Sequence, residues 1–330
     1  MLKDFLVKSW YKKSFWLYFL LPLSWVYQLG LAIRKTLYKY GILKQHQFNI
    51  PIIVVGNLTV GGTGKTPLVI ALVEYFKKQG LTPGVITRGY GGQIKKKPVF
   101  VGKNSDPHVV GDEALLIFLR TEVPVAVCAK RTNAAKKLID ETDCNIIISD
   151  DGLQHTALSR DMEIIVIDGQ RRLGNELCLP AGPLRESKKR LKTVDFIVCN
   201  GVPGVDEYGM QLEIDSLYNL KDPNLTTELL ELKQPIYAVA GIGNPERFFR
   251  TLKEFQCSIK PIFFPDHHKF TKQDLAFKNP YPVVMTEKDA IKCKKFAHEN
   301  HWVLKVNAEI DELVLSNINK VLKINSQANI

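Results

Sequence analysis

The chain reads as an α/β protein: a mostly parallel sheet with helices on both faces, preceded by an apolar helix and followed by a second, smaller α/β lobe. Three observations carry that expectation. Apolar runs of strand length alternate with stretches of helix length. Several runs, such as 52–56 (IIVVG) and 144–149 (CNIIIS), are continuously apolar, as strands covered on both faces are. A glycine-rich turn, VGNLTVGGTGKTP at 55–67, stands between one such run and a helical stretch, the order of a P-loop NTPase-type phosphate cradle.

The first element is the segment 15–33, FWLYFLLPLSWVYQLGLAI, which carries no charge. As a helix, 19 residues reach about 28 Å, close to the ~30 Å of a bilayer's hydrocarbon core. Trp10, Trp16 and Trp25 lie in or beside it with Tyr11, Tyr18 and Tyr27, residues suited to headgroup depth. The net charge of +11 is concentrated here: residues 1–45 hold eight Lys and Arg against Asp4 alone, so +7 of it brackets the apolar segment. Nucleic-acid binding predicts basic residues spread over a folded face, which this is not. Residues 1–48 therefore read as a membrane anchor with basic flanks, either spanning or lying in one leaflet; a buried core helix is the alternative. A cleaved signal peptide fits poorly, because the run is long and no small-x-small site follows.

Beyond the anchor, strands are expected at 52–56, 84–87, 123–129, 144–149, 163–168 and 194–200, then at 236–240, 259–264, 283–286 and 302–306. Helices are expected at 67–79, 112–121, 131–142 and 245–255, completing βαβ units. The stretch 201–235 is rich in Gly, Pro, Asp and Asn and reads as a boundary, dividing a nucleotide-binding domain (49–204) from a C-terminal α/β lobe (205–330). GIGNPERF at 241–248 follows a strand but lacks a Gly-Lys pair, so it reads as a fold element and not as a second nucleotide site. Six scattered cysteines with no CxxC spacing argue for a reducing compartment and against a zinc or disulfide framework.

The chemistry starts at the glycine turn. Gly61, Gly62 and Gly64 let backbone N–H groups turn toward an anion, with Val60 and Thr63 completing the loop. Lys65 is placed to reach terminal phosphates and Thr66 to hold magnesium. Thr59 stands where the GxxxxGK[ST] pattern has its first glycine. Such a site needs a carboxylate at the end of a neighbouring strand, and Asp150 and Asp151 follow 146–148 directly; adjacent acids also serve as solvated turns or caps. Asp112 and Glu113 have the spacing of an ordinary helix N-terminus. Asp266, His267 and His268 follow an apolar strand, where a histidine is commonly packed or exposed.

Taken together, GNLTVGGTGKTP, TRGYGG (87–92), VGDEALL (110–116), SDDGLQH (149–155), LPAGPLRE (179–186), FPDHH (264–268) and MTEKDAIKC (285–293) resemble the tetraacyldisaccharide 4′-kinase family of lipid A biosynthesis, from the anchor to about residue 305. The resemblance implies transfer of the ATP γ-phosphoryl group, with Mg²⁺, to the 4′-hydroxyl of a tetraacylated glucosamine disaccharide 1-phosphate at the cytoplasmic face of the bacterial inner membrane. It also implies that Asp112 and His267 act as a pair on that hydroxyl. His267 is chosen over His268 because the family's histidine directly follows the aspartate. Glu113, Asp150 and Thr66 are then the expected metal contacts. Asp151 and Arg185 support the transfer, with Gln154 and His155 nearby. The partners expected are the glycolipid and the membrane interface, with no nucleic acid and no protein.

Two other readings compete. A nucleotide switch would use the same cradle, but guanine readers carry [NT]KxD, and here Thr286-Glu287-Lys288-Asp289 places the lysine one position late. A lipid-binding scaffold would keep the loop for structure only.

Overall fold

A computed structural model describes residues 2–12, 14–94, 96–233 and 235–323; the last seven residues of the expected C-terminal lobe lie outside it. Its strands are β1 (Ile52–Gly56), β2 (Pro83–Thr87), β3 (Val99–Phe100), β4 (Val125–Val127), β5 (Ile146–Asp150), β6 (Met162–Asp168), β7 (Phe196–Asn200), β8 (Tyr208–Asn219), β9 (Thr226–Thr227), β10 (Ile236–Ala240), β11 (Ile259–Phe263), β12 (Val283–Thr286) and β13 (His301–Ile310). The α-helices are α1 (Leu2–Trp10), α2 (Leu21–Lys39), α3 (Lys65–Lys78), α4 (Pro107–Val110), α5 (Asp112–Thr121), α6 (Arg131–Glu141), α7 (Pro245–Glu254), α8 (Glu287–Cys293) and α9 (Glu312–Leu322).

All of these strands join one sheet, in the order β11-β10-β12-β13-β8-β7-β6-β1-β5-β2-β4-β3, with β9 on β8. The pairings are parallel except β8 with β13, β3 with β4 and β8 with β9. The central strands β1, β2 and β5 are buried at every position, because helices cover both faces and leave no solvent side for polar residues. One core forms around β1, β5 and α3, and a second cluster fills the opposite face under α6. Two further clusters flank β10 and β12 under α7 and α8.

The stretch 201–235 differs from its sequence reading. It holds the twelve-residue β8, where exposed Gln211, Glu213 and Asp215 alternate with covered neighbours, and whose start pairs with β7 while its length pairs antiparallel with β13. The flanking VPGVDE and KDPN turns mask that period-2 pattern. The strand therefore welds the two halves of the sheet together, and α9 then returns to the first half, where Asn319 donates to the Tyr75 hydroxyl.

The apolar N-terminal segment begins as a 3₁₀ helix, Phe15–Leu20, and becomes α-helical at Leu21. Pro22 supplies no N–H and so fits only the first turn of the α-helix, where none is needed. The 15–39 segment has the length and composition to cross a membrane. Yet one stripe of it docks on the body. Ser24 donates to Cys178 O and accepts from Ala181 N, Tyr27 donates to Arg185 O, and Lys35 pairs with Glu186. Phe15, Phe19, Leu23, Val26 and Leu29 face outward, Phe19 with 86% of its surface open.

Candidate active site

The glycine turn joins β1 to α3, and Gly64 caps that helix at φ 101°, where a side chain would be strained and its Cβ would fall 2.2 Å from Asn200 Nδ2. The turn lines a cleft of about 2160 Å³ together with Thr66, Glu113, Asp151, His155, Arg185 and the 242–248 and 263–267 segments. Thr59 is tied by a bridge to Leu184, and Val60 N–H donates to Pro183 O, so the LPAGPLRE segment braces the loop from behind.

The acids at the end of β5 have opposite electrostatics. Asp151 takes both of its oxygens to Arg185 Nη1 at 3.0 Å and lies 3.4 Å from Lys65 Nζ. Partial burial opposes ionisation, but Lys65 and Arg185 hold its carboxyl well below the usual range. Asp150 is 1% exposed and neither carboxylate oxygen has a partner. Burial first, then the charges of Glu113 and Asp151, push its pKa up to about 7 against the pull of Lys65 and Arg131. The buried Arg131 guanidinium donates to the Asp150 and Asp151 carbonyls and fixes the turn.

A buried carboxylate with two empty acceptors, electrostatically coupled to Glu113 and behind a phosphate-type loop, fits a divalent cation. Among the described residues no group of three or more His, Cys, Asp or Glu side chains forms a cage. That suits Mg²⁺, which takes one or two carboxylates and completes its shell with substrate phosphates and water.

Across the cleft, Asp112 opens α5. Gly111 precedes it at φ 94°, and a Cβ there would meet Gly89 backbone at 3.0 Å, so the TRGYGG turn can close over the helix start only with glycines at both places. Asp112 Oδ1 accepts from Glu113 N–H at 2.9 Å, and Oδ2 lies 3.1 Å from His267 Nδ1. Burial raises the Asp112 pKa, but the His267 hydrogen bond and the charges of Lys288 and Lys292 outweigh it and lower the value overall. His267 sits at φ 61°, an unusual conformation for a residue with a Cβ, beneath the Tyr90 ring at 4.7 Å. His268 instead pairs with Asp274 and stacks on Phe264, away from Asp112.

Lys65, Asp151 and Arg185 thus form one cluster and Asp112 and His267 another, while the charge of Glu113, next to Asp112, reaches Asp150. Glu113 is bound through Oε1 to Lys288 Nζ at 2.9 Å, and Lys288 also reaches Asp266 at 3.3 Å. The sequence reading missed several groups. Arg171 donates to both Gly62 O and Gly243 O, clamping the glycine turn to the GIGNPERF segment. Asp168 collects Asn244 and Arg247 from that segment at 2.8 and 2.9 Å. GIGNPERF is thus a fold element that also walls the site. Their local pairing with each other does not mark them as part of the site, because the partners that place them there, Gly62, Gly243, Asn244 and Arg247, come from segments distant in the chain.

Comparison with known proteins follows the same lines. The family model described as tetraacyldisaccharide-1-P 4′-kinase matches residues 16–323. The chain is 49% identical to the tetraacyldisaccharide 4′-kinase of Hahella chejuensis, covering 92% of each, and 46% identical to that of Nitrosococcus oceani, covering 92% of this chain and 90% of that one. Among solved structures, an Aquifex aeolicus LpxK described as in complex with ATP superposes with a TM-score of 0.77 at 28% identity, over 93% of this chain and 99% of that one.

Proposed function

Since the chain belongs to the tetraacyldisaccharide-1-P 4′-kinase family, an ATP-dependent kinase family of lipid A biosynthesis, we propose that its own Asp112–His267 pair and glycine turn carry out transfer of the ATP γ-phosphoryl group to the 4′-hydroxyl of tetraacyldisaccharide 1-phosphate, giving lipid IVA. The observation that carries the assignment of residues is the 3.1 Å contact between the buried Asp112 and His267, which lines the same cleft as the glycine turn.

Little covalent chemistry is asked of the protein, so residues divide into those that position, those that neutralise charge and the one that takes a proton. Backbone N–H groups of 61–64 and the N-terminus of α3 hold phosphate oxygens. Lys65, steered by Asp151 and Arg185, neutralises charge building on the transferring group. Asp150, Glu113 and Thr66 would hold Mg²⁺, which would neutralise phosphate charge when bound. Asp112, kept ionised and aimed by His267, accepts the proton of the acceptor hydroxyl as the new bond forms.

The anchor reading is supported by its docking. Contacts from Leu17 to Lys35 run along about 27 Å of helix, so placing it across a bilayer would drag the polar body into hydrocarbon. The helix lies in the interface, its outward apolar face in the cytoplasmic leaflet and its inner face on the LPAGPLRE segment. The division into 1–48, 49–204 and 205–330 is supported by two core clusters built only from residues of the last segment, although α9 of that segment sends Val314 and Ile318 into the first core.

The direct test incubates the purified chain with labelled ATP, magnesium and the disaccharide lipid in detergent. A product with one additional phosphate is expected; nucleotide turnover independent of the lipid would overturn the assignment in favour of a switch.

A further inference from the structure

Six of the motifs now have work: the glycine turn, TRGYGG, VGDEALL, SDDGLQH, LPAGPLRE and FPDHH. MTEKDAIKC does not touch the phosphate cradle, yet it forms β12 and α8 and is heavily buried. Thr286 caps α8 by accepting from Asp289 N–H, and Asp289 Oδ2 accepts from Gly241 N–H at 2.9 Å and from the Thr286 hydroxyl at 2.8 Å. Its other oxygen, Oδ1, lies 2.7 Å from Lys292 Nζ. The ammonium also sits 5.1 Å from the Phe270 ring centroid and 3.8 Å from Asp112 Oδ2.

The burial of this arrangement decides its meaning. The Lys292 and Asp289 side chains are 3% and 0% exposed and Asp112 is 4% exposed, so water screens none of the three. The 2.7 Å approach is close but not aligned as a hydrogen bond, and Lys292 Nζ makes none elsewhere in the described residues. One buried ammonium is thus shared between two buried carboxylates, one on its own helix and one on α5. Asp289 alone would neutralise it, and its remaining reach points at the Asp112 oxygen that His267 meets. A lysine buried only to staple α8 to β10 would be more cheaply replaced by an apolar side chain.

We propose that Lys292 is a positioning residue for phosphoryl transfer: from α8 it holds the Asp112 Oδ2 oxygen in register with His267, so that the carboxylate faces the acceptor hydroxyl in one orientation. The assignment rests on Asp112 being the group that takes the acceptor proton. Among the described residues the hydrogen bonds that oppose carboxylate rotation are the Glu113 N–H on Oδ1 and the contact with a histidine on a strained turn. Lys292 is not among the residues lining the cleft, so it acts on the reaction through Asp112, the carboxylate it reaches across to α5.

The test is a mutant cycle on the full chain in detergent, with Mg-ATP and the tetraacyldisaccharide lipid. Lys292→Met is expected to lower kcat about 10- to 100-fold with KM for ATP unchanged within about twofold. Added to Asp112→Asn it should cost no more than about a further twofold, because the two act on one event. If Lys292→Met does not fold, Asp289→Asn with Lys292→Met removes both buried charges together, which restores folding without restoring kcat. Wild-type kcat in Lys292→Met or in that pair, or losses that multiply in the Asp112→Asn background, overturns the proposal. Wild-type kcat in Asp112→Asn alone would sink the dyad and this inference together, whereas a crippled Asp112→Asn beside an active Lys292→Met sinks only this one.

Discussion

His267 Nδ1 lies 3.1 Å from Asp112 Oδ2 although 155 residues separate them. The histidine comes from the turn after β11, an edge strand of the sheet, and the aspartate from the first residue of α5. Contact is made because α8 packs along α5 and the turn bends back at His267, whose φ of 61° is tolerated only under the restraint of Tyr90 and Asp112.

This geometry makes the two residues unequal. Asp112→Asn removes the proposed proton acceptor and is expected to lower kcat about 10²-fold or more, whereas His267→Ala removes only the group proposed to orient it and should cost roughly 10-fold. Steady-state kinetics at saturating ATP measure both; equal KM values for ATP in the variants and parent confirm that nucleotide binding is untouched.

Lys65→Ala is expected to lose about 10²-fold in turnover, since it withdraws fixed charge from the transferring group. Its association with vesicles should match the parent in a flotation assay. A variant with parental turnover would show that Asp151 and Arg185 steer the lysine for some other purpose.

Asp150→Asn should be inactive yet more stable. A carboxyl with its folded pKa raised to about 7 adds stability that is full below its unfolded value near 4 and is lost as pH rises through 7, so at pH 8 the ionised, unpartnered group weakens the fold. Chemical denaturation at pH 8 without magnesium should show the variant gaining on the order of 1–3 kcal/mol.

His301 opens β13 nearly buried, and burial first, then the charge of His298, lowers its pKa to about 4. The unfolded chain then binds a proton before the folded one, so this contribution is present above pH 6.5 and is lost as pH falls toward 4. Between pH 7 and 5 it amounts to about 2 kcal/mol. His301→Gln should flatten that part of the pH dependence relative to the parent in paired urea titrations.

Phe19→Glu with Val26→Glu places charges on the outward face of the docked helix without touching Ser24, Tyr27 or Lys35. Vesicle binding should drop more than about 10-fold while turnover of detergent-dispersed acceptor stays within about 3-fold. Retained vesicle binding would argue that the basic flanks alone hold the protein to the membrane.

What the chain order alone determined is everything written within about twenty consecutive residues. β1, the glycine turn and α3 are contiguous, and continuous apolar runs betray strands covered on both faces; β1, β10, β12 and α5 begin and end where those patterns do. The apolar segment at 15–33 was equally plain. Tertiary structure alone decided which acid is buried without a partner, that Lys292 serves two carboxylates, that Arg171 clamps the glycine turn to GIGNPERF, and that β8 joins the halves into one sheet. It also decided that the apolar N-terminal helix leans along the body. The physical reason is range: strand and helix preferences arise from neighbouring residues, whereas the charge state of Asp150 or Asp112 depends on side chains brought from distant elements into a site that water does not screen.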